Sequence, residues 1–119
     1  MILASTDGIS GETRLNLTHC STFKDKFLGL MGQKSIPVDG GILLQDTAES
    51  ILNASIHMFF MRFDIAVFWL NSNYQVVDKA LAKKWKPYYA PSTPARYTIE
   101  THPDQYEKIP IGAIFQVIE

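Results

Sequence analysis

The stretch SIHMFFMRFDIAVFW, residues 55–69, constrains the fold more than any other part of the chain. It is the most apolar run, yet it carries His57, Arg62 and Asp64. Bilayer crossing takes roughly 18–20 apolar residues, and the run at 56–70 falls short of that. Its three ionisable groups would also be costly in hydrocarbon. Burial inside a protein is the alternative. In an extended chain His57, Phe59 and Met61 share one face while Ile56, Met58 and Phe60 share the other. Both faces are apolar, which predicts a central strand covered on both sides. The run divides into strands at about 55–61 and 65–71, joined by a kink at Arg62–Asp64.

A chain of 119 residues supports one domain, 1–119, with a single core. Its formal net charge of −1 implies no polyanion partner from bulk electrostatics. Only KKWKP, 83–87, hints at a basic face. Cys20 is the sole cysteine, so neither an intrachain disulfide nor a thiolate zinc site can form. That usage fits a reducing compartment. The opening MILASTDGISGET lacks the basic start of a signal peptide. The expectation is a cytoplasmic protein with no membrane partner.

RLNLTH, 14–19, alternates strictly and reads as a strand with one wet side. Thr22 and Asp25 have capping-box spacing, and Phe23, Phe27, Leu30 and Met31 fall on one helical face, so a short helix is expected over 22–31. Gly32 is its natural stop, and Gly29 inside it implies close packing on a strand. GILLQ, 41–45, is a short buried strand, followed by a connection. Asn71-Ser72-Asn73 marks a hairpin turn before the returning strand YQVVDKALA. Pro87, Pro91 and Pro94 make 83–95 a long loop. RYTIET, 96–101, is a strand, Pro103 opens a helical turn, and AIFQVI, 113–118, is the last strand. Many short strands with one short α-helix predict a mainly-β domain: a small β-sandwich, jelly-roll-like, or a partly closed barrel.

Three ordered blocks carry a resemblance. Asp25-Lys26-Phe27-Leu28-Gly29-Leu30-Met31 resembles the Glu-Arg-x-x-Gly-Leu-Met signature of the domain of unknown function 192 family. Gly41-Ile42-Leu43-Leu44 is similar to its Gly-Met-Leu-Phe strand, and His57-Met58-Phe59-Phe60-Met61-Arg62-Phe63 to its His-x-Phe-x-Met-Arg-Phe block. Trp85, Glu100 and Gly112 match a loop aromatic, a strand-ending acid and a glycine before the final strand. The match spans about 14–119 and implies a compact, jelly-roll-like fold, with no activity attached. Two positions depart from the pattern: Ala66 stands where the family has an aspartate, and Ala113 follows Gly112 where an acid is usual. If either acid served catalysis, this chain lacks it.

The residues admit two readings of the central block. In the structural one, His57 is a hydrogen-bonded histidine at the core edge and Arg62–Asp64 an ion pair at a strand end, with Arg62 at least half buried. In the other, His57 and Arg62 floor a pocket for an anion or carboxylate, with the 83–95 loop as its rim. The structural reading is preferred; the candidate ligand-binding residues of the other are His57, Arg62, Asp64 and Trp85. His19 and Cys20 are strand neighbours that face opposite ways, so no nucleophile pair is expected. His19, His57 and His102 lack ligand spacing, so neither metal nor cofactor is expected. The preferred function is a non-catalytic module for a small polar or anionic ligand or a protein partner. The alternatives are a small enzyme with a His57/Arg62 pocket and a nucleic-acid accessory protein acting through 83–89, where lysines interleave with aromatics.

Overall fold

The computed structural model describes residues 1–8, 11–22, 30 and 33–119. They form β1 (Ile2–Gly8), β2 (Gly11–Cys20), β3 (Gly40–Ser50), β4 (Ile65–Leu70), β5 (Val76–Ala82), β6 (Ala95–Thr101) and β7 (Gln116–Val117), with a 3-10 turn at Pro103–Gln105. All seven strands join one sheet in the order β5-β4-β6-β3-β2-β1-β7. Only β2 and β3 run parallel; the other pairs are antiparallel. A parallel pair needs a long crossover, and residues 21–39 supply it. The mainly-β expectation holds, and the form it takes is a single sheet that does not close into a barrel. The helix expected over 22–31, with Gly29 inside it, falls almost wholly outside the described residues.

Apolar clusters cover both faces of this sheet, and β4 shows why. Each residue of its IAVFWL run is buried. Ala66, Phe68 and Leu70 join Leu3, Leu15, Leu43 and Ile99 on one face. Ile65, Val67 and Trp69 join Ile42, Leu44, Met58 and Met61 on the other. Full burial of side chains the size of Phe68 contributes roughly 1.5–3 kcal/mol each. The indole Nε1–H of Trp69 donates to the Ala54 carbonyl at 2.8 Å, which anchors the turn at 51–55 to the sheet.

The covered central strand is therefore β4, and the strand expected at 55–61 does not form. Residues 55–63 run as turns and bends with one isolated bridge, Ile56 to Tyr89. Phe60 takes a left-handed backbone (φ 62°), and the Met61 amide donates to the Met58 carbonyl at 3.3 Å. This turn inserts one residue into the alternation. Ile56, Met58 and Met61 consequently face inward, while Phe59 and Phe60 face solvent. The hairpin at 71–73 forms as expected: the Asn71 Oδ1 accepts from the amides of Asn73 (2.9 Å) and Gln75 (3.1 Å). Strand β3 continues through the expected connection to Ser50, β1 was not foreseen, and the last strand shrinks to Gln116–Val117.

Candidate functional site

The inserted turn at Phe60 brings the central block against the 83–89 loop. The Ile56 amide donates to the Tyr89 carbonyl (2.9 Å), and the Tyr89 amide returns the bond (3.0 Å). One step along, the Met58 amide donates to the Lys86 carbonyl, and the Trp85 amide donates to the Met58 carbonyl at 2.7 Å. Trp85 also adopts a left-handed backbone (φ 69°). Its ring lies 5.1 Å from that of Phe60 in a tilted arrangement, within the range where aromatic pairs attract. Phe60 is 59% exposed and Trp85 54%. Phe59 and Tyr88 are also exposed, and the His57 ring lies 5.8 Å from that of Phe59.

The same two segments carry cations, of which Lys86 Nζ lies over the Tyr89 ring at 4.7 Å from its centroid. Lys83, Lys84 and Lys86 are exposed, as expected for the loop, which becomes buried only at Pro91 and Ala95. Arg62 is exposed too, contrary to the expected half burial, and among the described residues it makes no hydrogen bond or ion pair. The bend that follows Phe60 sends Met61 inward and Arg62 out. Asp64 pairs instead with the loop: Oδ1 accepts from the Lys84 amide (2.9 Å), and Oδ2 lies 3.5 Å from Lys83 Nζ. The expected Arg62–Asp64 pair is thus replaced by a carboxylate that fastens the loop. Of the four candidate residues, His57, Arg62, Asp64 and Trp85, all belong to these two adjoining segments. Arg62 and Trp85 are exposed, His57 and Asp64 partly buried, and Asp64 holds the loop that carries Trp85.

One chemically distinctive residue escaped the reading of the residues, apart from its match to a strand-ending acid. Glu100 on β6 is only 6% exposed. Its register neighbours are Ile42 on β3 and Val67 on β4, both in the second apolar cluster. Among the described residues its carboxylate makes no hydrogen bond or ion pair. Burial pushes its pKa up to about 7, because the charged form loses its hydration there. In β6 Tyr97 and Ile99 alternate with Thr98 and Glu100, so the acid shares a face with a second polar residue. Only the second apolar layer makes that face dry.

Two of the cavities each bring a histidine and an aspartate together. One of about 290 Å³ is lined by Ser35, Ile36, Phe63, Asp64, His102 and Pro103. Another of about 380 Å³ is lined by His19, Ser21, Gln45, Asp46, Thr47 and Arg96, and there His19 Nε2 meets the Gln45 amide oxygen. Cys20 is buried, and its thiol lies 3.8 Å from the Thr18 carbonyl. Among the described residues no group of three or more His, Cys, Asp or Glu could hold a metal ion, and no helix is long and apolar enough to cross a membrane.

Fold and side-chain inventory together define a mainly-β domain built on one open seven-stranded sheet. The chain belongs to the DUF192 family, described as an uncharacterized ACR, whose model matches residues 5–116. It is 43% identical over 100 residues to a UPF0127 protein of Thermococcus kodakarensis, covering 84% of this chain and 60% of that protein. A UPF0127 protein of Pyrococcus furiosus is 39% identical over 89 residues, covering 75% of this chain and 73% of that protein. The chain thus spans under two thirds of the Thermococcus kodakarensis relative's length. A crystal structure of a protein of unknown function from Novosphingobium aromaticivorans superposes with a TM-score of 0.86 at 15% identity, covering 98% of this chain and 84% of that one. At that identity the likeness is one of fold. The family carries no specific function with it.

Proposed function

We propose that this chain is a non-catalytic binding module that takes an anionic partner on the surface built by 57–62 and 83–88. The observation that supports the reading is the Phe60–Trp85 pair. Two bulky aromatics hold left-handed backbones while more than half exposed. Such conformations cost on the order of 1–3 kcal/mol each and persist where the surroundings fix them, often at binding sites. Here the Met58–Trp85 hydrogen bond and the Asp64 fastening do the fixing. Arg62 and the three lysines give the surface a positive character within a chain of net charge −1. An enzyme built on His57 and Arg62 would ask both groups to converge on one reacting atom, and an outward Arg62 favours binding instead. We place the module in the cytoplasm, a reading supported by its single cysteine, which fits a reducing compartment.

Fluorescence tests the reading. Trp69 is fully buried, so changes at the indole emission report Trp85. Titration with polyglutamate and with inorganic phosphate at low salt is expected to shift the emission for at least one of them, weaken with added salt, and weaken with Arg62→Gln. An emission unchanged by both anions and by a lipid surface rejects the binding surface.

A further inference from the structure

We propose that the partner of this surface is the face of an anionic lipid bilayer, on which the domain docks peripherally; the inference rests on the binding surface proposed above. The 56–70 run is too short to span a membrane, but lying on a membrane is a different physical problem. It needs apolar side chains that reach the acyl boundary and cations that meet the headgroups.

The turn at 58–61 supplies the first. Phe59, Phe60 and Trp85 are 44%, 59% and 54% exposed, and Phe60 and Trp85 support one another by ring contact. Tyr88, 56% exposed, lies farther along the same loop, where its hydroxyl meets Ser55 Oγ at 3.2 Å. Leu52, in the turn that Ser55 caps, is 76% exposed. Trp and Tyr with an apolar body and a polar tip are the residues that settle at membrane interfaces.

Arg62, Lys83, Lys84 and Lys86 supply the second; Lys83 shares its charge with Asp64 at 3.5 Å and Lys86 lies over the Tyr89 ring, which leaves a net positive surface led by Arg62 and Lys84. The choice of lysine separates a bilayer from a protein partner. Protein interfaces are depleted in lysine, whose hydrated head is costly to bury. At a bilayer the long stem lies along the apolar region while the ammonium stays at the phosphates. Single-stranded nucleic acid would also meet cations and rings. An exposed leucine and two adjacent phenylalanines suit an acyl boundary better than a sugar–phosphate chain.

The test is co-sedimentation of the whole chain with phosphatidylcholine vesicles, with and without phosphatidylserine, alongside the Trp85 emission. Polyglutamate and single-stranded DNA serve as soluble polyanion arms. The expected result is at least tenfold stronger partitioning onto the phosphatidylserine vesicles, with a blue-shifted emission that added salt reverses. Arg62→Gln combined with Lys84→Gln, both at exposed side chains, should lower that partitioning by about tenfold or more. Trp85→Phe should abolish the emission change and weaken sedimentation, and a parental melting temperature for this variant separates lost docking from misfolding. Partitioning indifferent to phosphatidylserine overturns the inference. Binding to polyglutamate or DNA but not to vesicles also overturns it and leaves the binding surface standing. No binding in any arm overturns both.

Discussion

Replacement of Glu100 by glutamine should change how stability depends on pH far more than it changes stability at acid pH. The carboxyl lies between Ile42 and Val67, and its pKa stands at about 7 in the folded chain against its ordinary 4.5. Each pH unit of difference corresponds to 1.36 kcal/mol, so the group is linked to about 3 kcal/mol of folding free energy. Below the ordinary carboxyl pKa the side chain is neutral folded and unfolded alike, and the native state carries this stability in full. As the pH rises from 4.5 toward 7 the unfolded chain releases its proton while the folded chain still holds it. Stability is lost across that window, and the contribution is gone above it. Glutamine never titrates, so Glu100→Gln should match the parent near pH 4 and exceed it by up to about 3 kcal/mol near pH 8. Urea unfolding of both proteins across the range, followed by the buried Trp69, measures the difference. Other carboxylates shift both proteins together and cancel. A stability difference that stays constant from acid to alkaline pH would refute the dry placement of this acid.

Gly41→Ala should be among the most damaging single changes. Gly41 has φ 138°, and an added Cβ would clash with the Glu100 carbonyl oxygen of the neighbouring strand. A loss above about 3 kcal/mol, or failure to fold, is expected in thermal melts. Trp69→Phe removes the indole donor from the buried Ala54 carbonyl and should cost about 1–3 kcal/mol by urea unfolding. Asp64→Asn should lower global stability by no more than about 1 kcal/mol, since the carboxylate is partly exposed, while hydrogen exchange at the Lys84 amide accelerates. Arg62→Ala, at an exposed side chain, should leave the melting temperature nearly unchanged, within about 0.5 kcal/mol of parental stability. A fall of several kcal/mol there would restore the structural role that its sequence neighbours suggested.

The sequence alone determined the features that rest on local period and turn chemistry. RLNLTH alternates because Leu15 and Leu17 must face a core, and both are buried in β2. Asn71 sets its hairpin with its own side chain, and Pro103 opens the 3-10 turn, since each acts on backbone within a few residues. The family blocks were legible as ordered motifs that resemble a known family, and the family model over residues 5–116 agrees. What lay beyond reach depended on layers assembled from distant segments. Phe60 turns left-handed because Met58 is held by Lys86 and Trp85, some 27 residues downstream; no local pattern carries that bond. The turn reverses the faces expected for Phe60 and Arg62 and makes an exposed surface of what reads as core. Glu100 sits in a strand that alternates like any half-wet one. Its dryness comes from β3 and β4 on either side and from Met58 and Met61 in the covering layer, so burial and the raised pKa are properties of the assembled sheet. Periodicity reports which residues share a face, and only the tertiary structure decides whether water reaches it.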